Sequence, residues 1–407
     1  MLEGETGMRN VVIVDGVRTG FGKLGGSLRQ FPMSHLAAMA IDGLLEKTQL
    51  LERGGKVEGV YMGSALHDNQ THSPARFAVL KSRLGYDTWA SYVERQCGSA
   101  IDAINHAAAA IMIGTADIMI AGGGESYSQL YSKFSMAIEP YKLISPAPIP
   151  QKLAPIPEDN CDMITTAESI ATMYGITRQE CDEFAYQSQM RAAEATAKGY
   201  FKEEIIPVTI PATKKTPEII FDTDEFLRPT TTMEGLAKLN SVKPNGVTTA
   251  GNASGRNDGA AMLLLMSEEK AKELGYTPYA RFVMAGNSAL DPKIMGLGPI
   301  KSSLDALKKA GLSIDDIDVW ECNEAFAVQN LGVIRGLEEA TGKKIDRQRW
   351  NPNGGAISFG HANGASGGRI AMFNMRELER SGGRYGLFTS CCGGGQGVST
   401  IIENLRR

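Results

Sequence analysis

The chain has 407 residues, 43% hydrophobic and 22% charged, enough for two or three domains around a large core. Its 42 basic and 46 acidic residues leave a net charge of −4 with the basic ones dispersed, which argues against a nucleic-acid partner. No run approaches the roughly 18 apolar residues of a membrane span, and the start MLEGETGMRN lacks the basic-then-apolar order of a secretory signal, so Met8 reads as a natural start.

In chain order, 11–19 (VVIVDGVRT) reads as a strand and 34–47 as a helix. Residues 57–66 read as a strand, 74–84 as a helix, and SYVERQ as a strand that leads into a helix after Cys97. A strand, ADIMIAGGGES, follows at 116–126. The segment 140–160 is proline-rich and irregular. Two helices are expected at 164–175 and 177–199, the second opened by a Thr177–Glu180 capping box. Alternation then returns, with strands at 279–289 and 317–327 and a helix at 299–311. The pattern indicates a layered α/β fold with a loop domain laid over the core.

Two stretches echo each other. Cys97 precedes a helix and then IMIAGGGES; His361 precedes a helix and then GLFTSCCGGGQG. This weak repeat suggests two related halves whose reactive groups meet between them.

Six cysteines are scattered without the spacing of a metal site, and no metal is expected; free thiols suit a cytoplasmic protein. Cys97 is either a small buried hydrophobe or a nucleophile, and a helix N-terminus favours its thiolate. His35 and His106 fall in helix patterns, and His67 and His72 lie in a polar loop without other ligands. His361 stands among glycines, as either a loop residue or a base poised near neutrality. Cys391 and Cys392 adjoin a glycine run, which offers either a strained vicinal disulfide or a proton-handling thiol beside backbone donors. Asn323, in NEAFA, is placed to orient a water or to donate to a carbonyl oxygen. Ser254, in TAGNASGRNDGAA, either faces an extended ligand or sits in a tight turn.

The ordered blocks RQCGSA, AGGGES, TAGNASGRNDGAA, MGLGPI, NEAFA, GGAISFGHANGASGGRI and CCGGGQG resemble the thiolase family along essentially the whole chain. The resemblance implies a five-layered αβαβα fold of two similar halves. Residues 8–126 with 250–275 form one half, 127–249 an inserted loop domain that binds coenzyme A (CoA), and 276–407 the other half. It implies a homodimer or homotetramer acting on acyl-CoA and CoA without a cofactor. By position, Cys97 matches the acylated nucleophile, His361 its activator, Cys391 the proton shuttle and Asn323 the holder of a water beside His361. The backbone N–H groups of Cys97 and Gly393 match an oxyanion hole, and Ser254 and Arg228 match contacts to the arm and adenine end of CoA. The implied reaction is most simply that of an acetyl-CoA acetyltransferase; the alternatives are a broader degradative 3-ketoacyl-CoA thiolase and a non-catalytic acyl-CoA or lipid binder. The chain departs from the family pattern at Ala100 (CGSA), at HANG, where a proline is usual after the histidine, and at Asp162, where short-chain members often carry histidine. It also departs at Asn240 and Ser241, where arginine and proline are common after AKL.

Overall fold

The computed structural model describes residues 8–66, 68–135, 141, 147–214 and 216–407. His67 and part of the proline-rich 140–160 segment lie outside the described residues. The first half runs β1 (Val11–Thr19), α1 (Met33–Thr48), β2 (Gly59–Gly63), α2 (Pro74–Lys81), β3 (Trp89–Val93), α3 (Ser99–Met112) and β4 (Ile118–Ser126). The intervening stretch carries α4 (Met163–Tyr174) and α5 (Arg178–Ala197), and β5 (Asn257–Ser267) returns to the core. The second half runs β6 (Ala280–Ala289), α6 (Gly298–Ala310), β7 (Ile317–Cys322), α7 (Ala327–Thr341), α8 (Asn363–Ser381), β8 (Tyr385–Cys392) and β9 (Gln396–Asn404).

The strand order is β7-β8-β9-β6-β1-β5-β4-β2-β3. Four strands of each half match. β2 and β4 are parallel, as are β7 and β8, while β4–β5–β1 and β8–β9–β6 are antiparallel. The two sheets join edge to edge where Val12 and Ile13 of β1 face Arg281 and Ala280 of β6. Strand β3 has no regular partner in the second half. There Trp350 makes a single bridge to Trp320 of β7, and the two indoles stack at 5.6 Å. The Asn351 side chain continues the ladder by accepting from the Cys322 N–H and donating to its carbonyl.

Strands covered on both faces read as continuous apolar runs. β5 is buried at all eleven positions: Leu263 and Leu265 turn inward, Met262, Leu264 and Met266 outward. α1 seals the outer face of the first sheet with Leu36, Ile41, Leu44 and Leu45, and α6 and α7 seal the second with Leu307, Val333 and Leu337. α3 and α8 lie between the sheets, where Ile101, Ile104, Ile370 and Met372 meet Met119, Phe388 and Val398. The result is the five-layered αβαβα fold that the resemblance implies. Thr177 and Glu180 make both bonds of the capping box at the start of α5. The strand expected over 317–327 stops at Cys322, and the NEAFA block turns the chain into α7. Among the described residues no helix is long and apolar enough to cross a membrane.

The AGGGES glycines let the middle layer close. A Cβ on Gly123 would stand 2.0 Å from the Gly364 carbonyl oxygen and 2.3 Å from that of Gly63. Both obstacles are backbone, so neither yields cheaply. Gly123→Ala should therefore lower unfolding free energy by about 2–4 kcal/mol, read as a drop in the denaturant midpoint; a change within about 0.5 kcal/mol would refute this close packing.

Candidate active site

Cys97 sits in a single tight turn, Gln96–Gly98, that runs directly into α3. The turn begins with Gln96 at φ 48° and is closed by Ser99, whose hydroxyl donates to the Gln96 carbonyl and accepts from the Arg95 N–H. Gly98 follows because a side chain there would collide with Cys392 Sγ at 2.5 Å and Val398 at 2.7 Å. The nucleophile candidate is thus pressed against β8 and β9 of the opposite half.

His361 occupies the matching position before α8. Gly360, at φ 92°, turns the chain, and the His361 N–H donates to Asn257 Oδ1 and the Gly255 carbonyl. Its ring Nδ1 lies 2.7 Å from Ser366 Oγ. Ser366 gives its own proton to the Ala362 carbonyl. The network therefore assigns the imidazole proton to Nδ1 and leaves Nε2 as an acceptor. Asn323, just beyond β7, holds its Nδ2 3.3 Å from that Nε2. Asn323 Oδ1 is buried with no partner among the described residues.

Cys97, His361, Gly393 and Ser254 line one cleft of about 600 Å³. Asn323 stands behind His361. Cys391 does not line the cleft: it is fully buried in an apolar cluster with Met295, Phe326 and Ile357, of which Met295 and Phe326 reach the cleft. Arg228 is not in the cleft wall; it is exposed and its guanidinium lies over the Phe226 ring. All six cysteines are free thiols. Gln151, Leu153, Met163 and Ile164 close the cleft from the inserted stretch.

Three polar neighbours are not evident from the sequence pattern. Tyr127, Asn363 and Arg256 line the cleft, with Asn363 hydrogen-bonded to the Tyr127 hydroxyl and the Arg256 guanidinium 6.0 Å from its ring. Glu125 is likewise hidden within a glycine block. Its carboxylate accepts from Ser64 Oγ and from the Ala65 and Gly364 N–H groups, tying β4 to the first turn of α8. Burial raises Glu125 to about 7 despite those bonds.

Two electrostatic expectations are corrected. Burial pushes the Cys97 thiol up, with the Cys391 sulfur and Glu125 adding to it. The backbone N–H groups of Cys97 and Gly393, which face the sulfur and favour thiolate, do not offset this. Burial, helped by the Arg369 charge, holds His361 down at about 3 rather than near neutrality. Desolvation opposes whichever form is charged, so it moves acid and base in opposite directions. The resting pair is a neutral thiol beside a neutral imidazole.

Residues 11–269 match the family model "Thiolase, N-terminal domain" and 276–404 match "Thiolase, C-terminal domain". The chain belongs to the thiolase family. It is 41% identical to the acetyl-CoA acetyltransferase of Thiocystis violacea, over 97% of this chain and 99% of that one. It is also 41% identical to the beta-ketoadipyl-CoA thiolase of Acinetobacter baylyi, over 98% and 100%. Human mitochondrial 3-ketoacyl-CoA thiolase superposes with a TM-score of 0.88 at 38% identity, covering 97% of this chain and 99% of that one. The protein is accordingly an acyltransferase enzyme.

Within this thiolase the departures have visible settings. The Ala100 methyl is buried against α8, 3.0 Å from where a Gly367 Cβ would stand, and is not part of the cleft wall. Asp162 lines the cleft but serves as N-cap of α4, accepting from the Thr165 N–H and hydroxyl and pairing with Lys243. Those bonds outweigh its partial desolvation and hold it at about 2.

A neutral resting pair has a signature. Alkylation of Cys97 by iodoacetamide should climb about tenfold per pH unit from pH 7 to 9, because only the rare thiolate reacts. A rate already level below pH 7 would reveal a resting thiolate–imidazolium pair instead.

Proposed function

We propose that the enzyme transfers acyl groups between CoA thioesters through an acyl-Cys97 intermediate, making or breaking a carbon–carbon bond with acetyl-CoA as one partner. The observation that carries this reading is the convergence of Cys97 and His361 on one cleft, each from the turn before its helix. In the condensing direction His361 Nε2 takes the Cys97 proton as sulfur attacks the thioester carbonyl. The Cys391 thiol protonates the departing CoA thiolate. The Cys391 thiolate so formed removes an α-proton from acetyl-CoA, and the resulting enolate attacks the acyl carbon. Cys97 leaves as thiolate and recovers its proton from imidazolium, which restores every group. Thiolysis is the reverse.

Desolvation has a use in this sequence. Each thiol is a weak acid in its apolar setting, so its thiolate, once made, is a strong base or nucleophile. Backbone N–H groups of Cys97 and Gly393 are assigned to one oxyanion, and Asn323 with His361 to the other; each donor contributes about 3–4 kcal/mol to such a transition state. The inserted stretch 127–249 is read as the loop domain that takes the CoA arm beside Ser254. Arg228, exposed outside the cleft wall, keeps only the role of a distal CoA contact. Acetyl-CoA is the simplest acyl donor, giving acetoacetyl-CoA; longer 3-oxoacyl-CoA substrates are the second reading, supported by the likeness to the beta-ketoadipyl-CoA and 3-ketoacyl-CoA thiolases. A homo-oligomer belongs to the same proposal, since β3 ends the strand order and Trp89 beside its edge is 41% exposed. The compartment proposed is the cytoplasm, on the strength of the free thiols.

Incubation with acetyl-CoA followed by peptide mass analysis should place an acetyl group on the Cys97 peptide, absent from Cys97→Ala. Cys391→Ala should still exchange labelled CoA through acetyl-Cys97, slowed by about ten- to a hundredfold because the departing CoA thiolate loses its acid, while condensation falls by about a thousandfold or more because the α-carbon also loses its base. Equal loss of exchange and condensation would overturn this division of labour.

A further inference from the structure

β7 and α8 run past each other in opposite directions, and two contacts fix their alignment. At the site end Asn323, just beyond β7, meets His361, just before α8, at 3.3 Å. Farther along, the Asn374 amide donates to the Val319 carbonyl at 3.1 Å. Alternation along β7 turns Trp320 and Cys322 to the outer side and Val319 to the inner one, so Glu321 points inward, between the two contacts. Two strand residues span about 6.6 Å and five helix residues about 7.5 Å, which brings Arg369 level with Glu321. The Arg369 guanidinium lies over the rings of Phe359 and Phe373, at 5.8 and 4.8 Å. Glu321 is 1% exposed and Arg369 0%. Yet among the described residues neither carboxylate oxygen and none of the guanidinium nitrogens has a hydrogen-bond partner, and the two groups make no direct ion pair.

The other charges around them are already partnered. Glu324 accepts from Ser188, Asn351 and the Ile357 N–H. Arg18 of β1 pairs with Glu204 and Asp224, and Glu377, farther along α8, pairs with Arg380. Glu321 and Arg369 have only each other. Burial pushes the first up and the second down, each opposed by the other's charge. Buried polar groups of this kind are bonded either to protein or to ordered water. We infer that Glu321 and Arg369 hold water molecules between them, and that this hydrated ion pair governs the readiness of His361 to take the Cys97 proton. The second part rests on the reaction proposed above. His361 has Cys97 across the cleft, Asn323 and Ser366 on its ring nitrogens and Arg256 bridged to its backbone. The charge that bears on its ring is that of Arg369. An unopposed Arg369 would resist the imidazolium that forms when Cys97 attacks. Glu321 cancels that resistance through the water, so the imidazole is neutral at rest and still able to accept a proton. Neither residue touches a reacting atom; both are positioning residues that act through His361.

The water site is tested in high-resolution crystals of the wild-type enzyme, which need no variant to fold. Ordered water should lie within hydrogen-bond distance of both the Glu321 carboxylate and the Arg369 guanidinium; a direct contact between the two, or a dry gap, overturns the inference. The role is tested by the single-turnover rate at which acetyl-CoA acetylates Cys97. Glu321→Gln should slow this step by about tenfold or more, because Arg369 is left unopposed. Adding Arg369→Gln to it should recover most of the rate. In Arg369→Gln alone, alkylation of Cys97 by iodoacetamide below pH 7 should rise about tenfold, and Arg369→Lys, which keeps the charge, should hold it at the wild-type level. A double variant slower than either single one overturns the role by making the pair merely structural. Absence of acetyl-Cys97 in the wild type strikes at the underlying reaction and takes the role with it, whereas acetylation of Glu321→Gln at the wild-type rate defeats the inference alone.

Discussion

The close approach of two helix N-termini across three glycines governs this molecule. α3 and α8 start side by side in the middle layer because Gly63, Gly123 and Gly364 have no side chains to hold them apart. A Cβ on Gly63 would meet the Ser99 backbone at 2.5 Å, and one on Gly364 would meet the Gly124 carbonyl oxygen at 2.5 Å. The residues just before the two helices, Cys97 and His361, are thereby delivered to one point. Glu125 fastens the junction, accepting bonds from the loop after β2 and from the first turn of α8. The pseudo-symmetry of the halves is thus more than a record of duplication. It places two unlike chemical groups at equivalent positions facing one another.

Much of this is legible in the sequence, and for a physical reason. Fully covered strands leave continuous apolar runs, caps leave Thr177–Glu180 spacing, and the echo between the Cys97 and His361 segments marks the halves. Cys97, His361 and Gly393 stand in blocks whose small residues are required by close backbone approach, so the blocks are dense and easy to see. Arg256 and Tyr127 lie inside or next to such blocks and still escape notice. Each sits at a position that the backbone leaves free, and nothing in local spacing distinguishes a free position from a functional one. Asn257 and Glu324 illustrate the same limit. Asn257 looks like a turn residue, yet it fixes the His361 backbone and bonds the Gly22 carbonyl. Glu324 looks like a candidate acid beside Asn323. Its carboxylate is occupied instead by Ser188, Asn351 and the Ile357 N–H, holding the segment before α8 in place.

The ionisation states are the least legible part, because they depend on burial, which is a property of the assembled layers. From sequence, a helix N-terminus argues for thiolate at Cys97 and a glycine-flanked histidine argues for a base near neutrality. Dipole effects at helix ends amount to about 0.3–2 kcal/mol. Removing a charge from water at a fully buried site shifts a group by up to about 3–5 pKa units. Loss of hydration therefore outweighs the helix dipole, and both residues stay neutral.

That outcome bears on how one pocket performs two different proton transfers. If Cys97 rested as a thiolate beside imidazolium, its thiol would have a lowered pKa, and the ion would stand ready before substrate arrived but as a weaker base and nucleophile. With Cys97 and Cys391 both protonated and His361 neutral, no proton moves until a thioester carbonyl is in position to accept the attacking sulfur. The proton on Cys391 is then released only to a departing thiolate, and the base needed for carbon acid chemistry appears only after acyl transfer. Desolvation thereby orders the steps: it keeps each sulfur inert until its reaction partner supplies the stabilisation that water was denied.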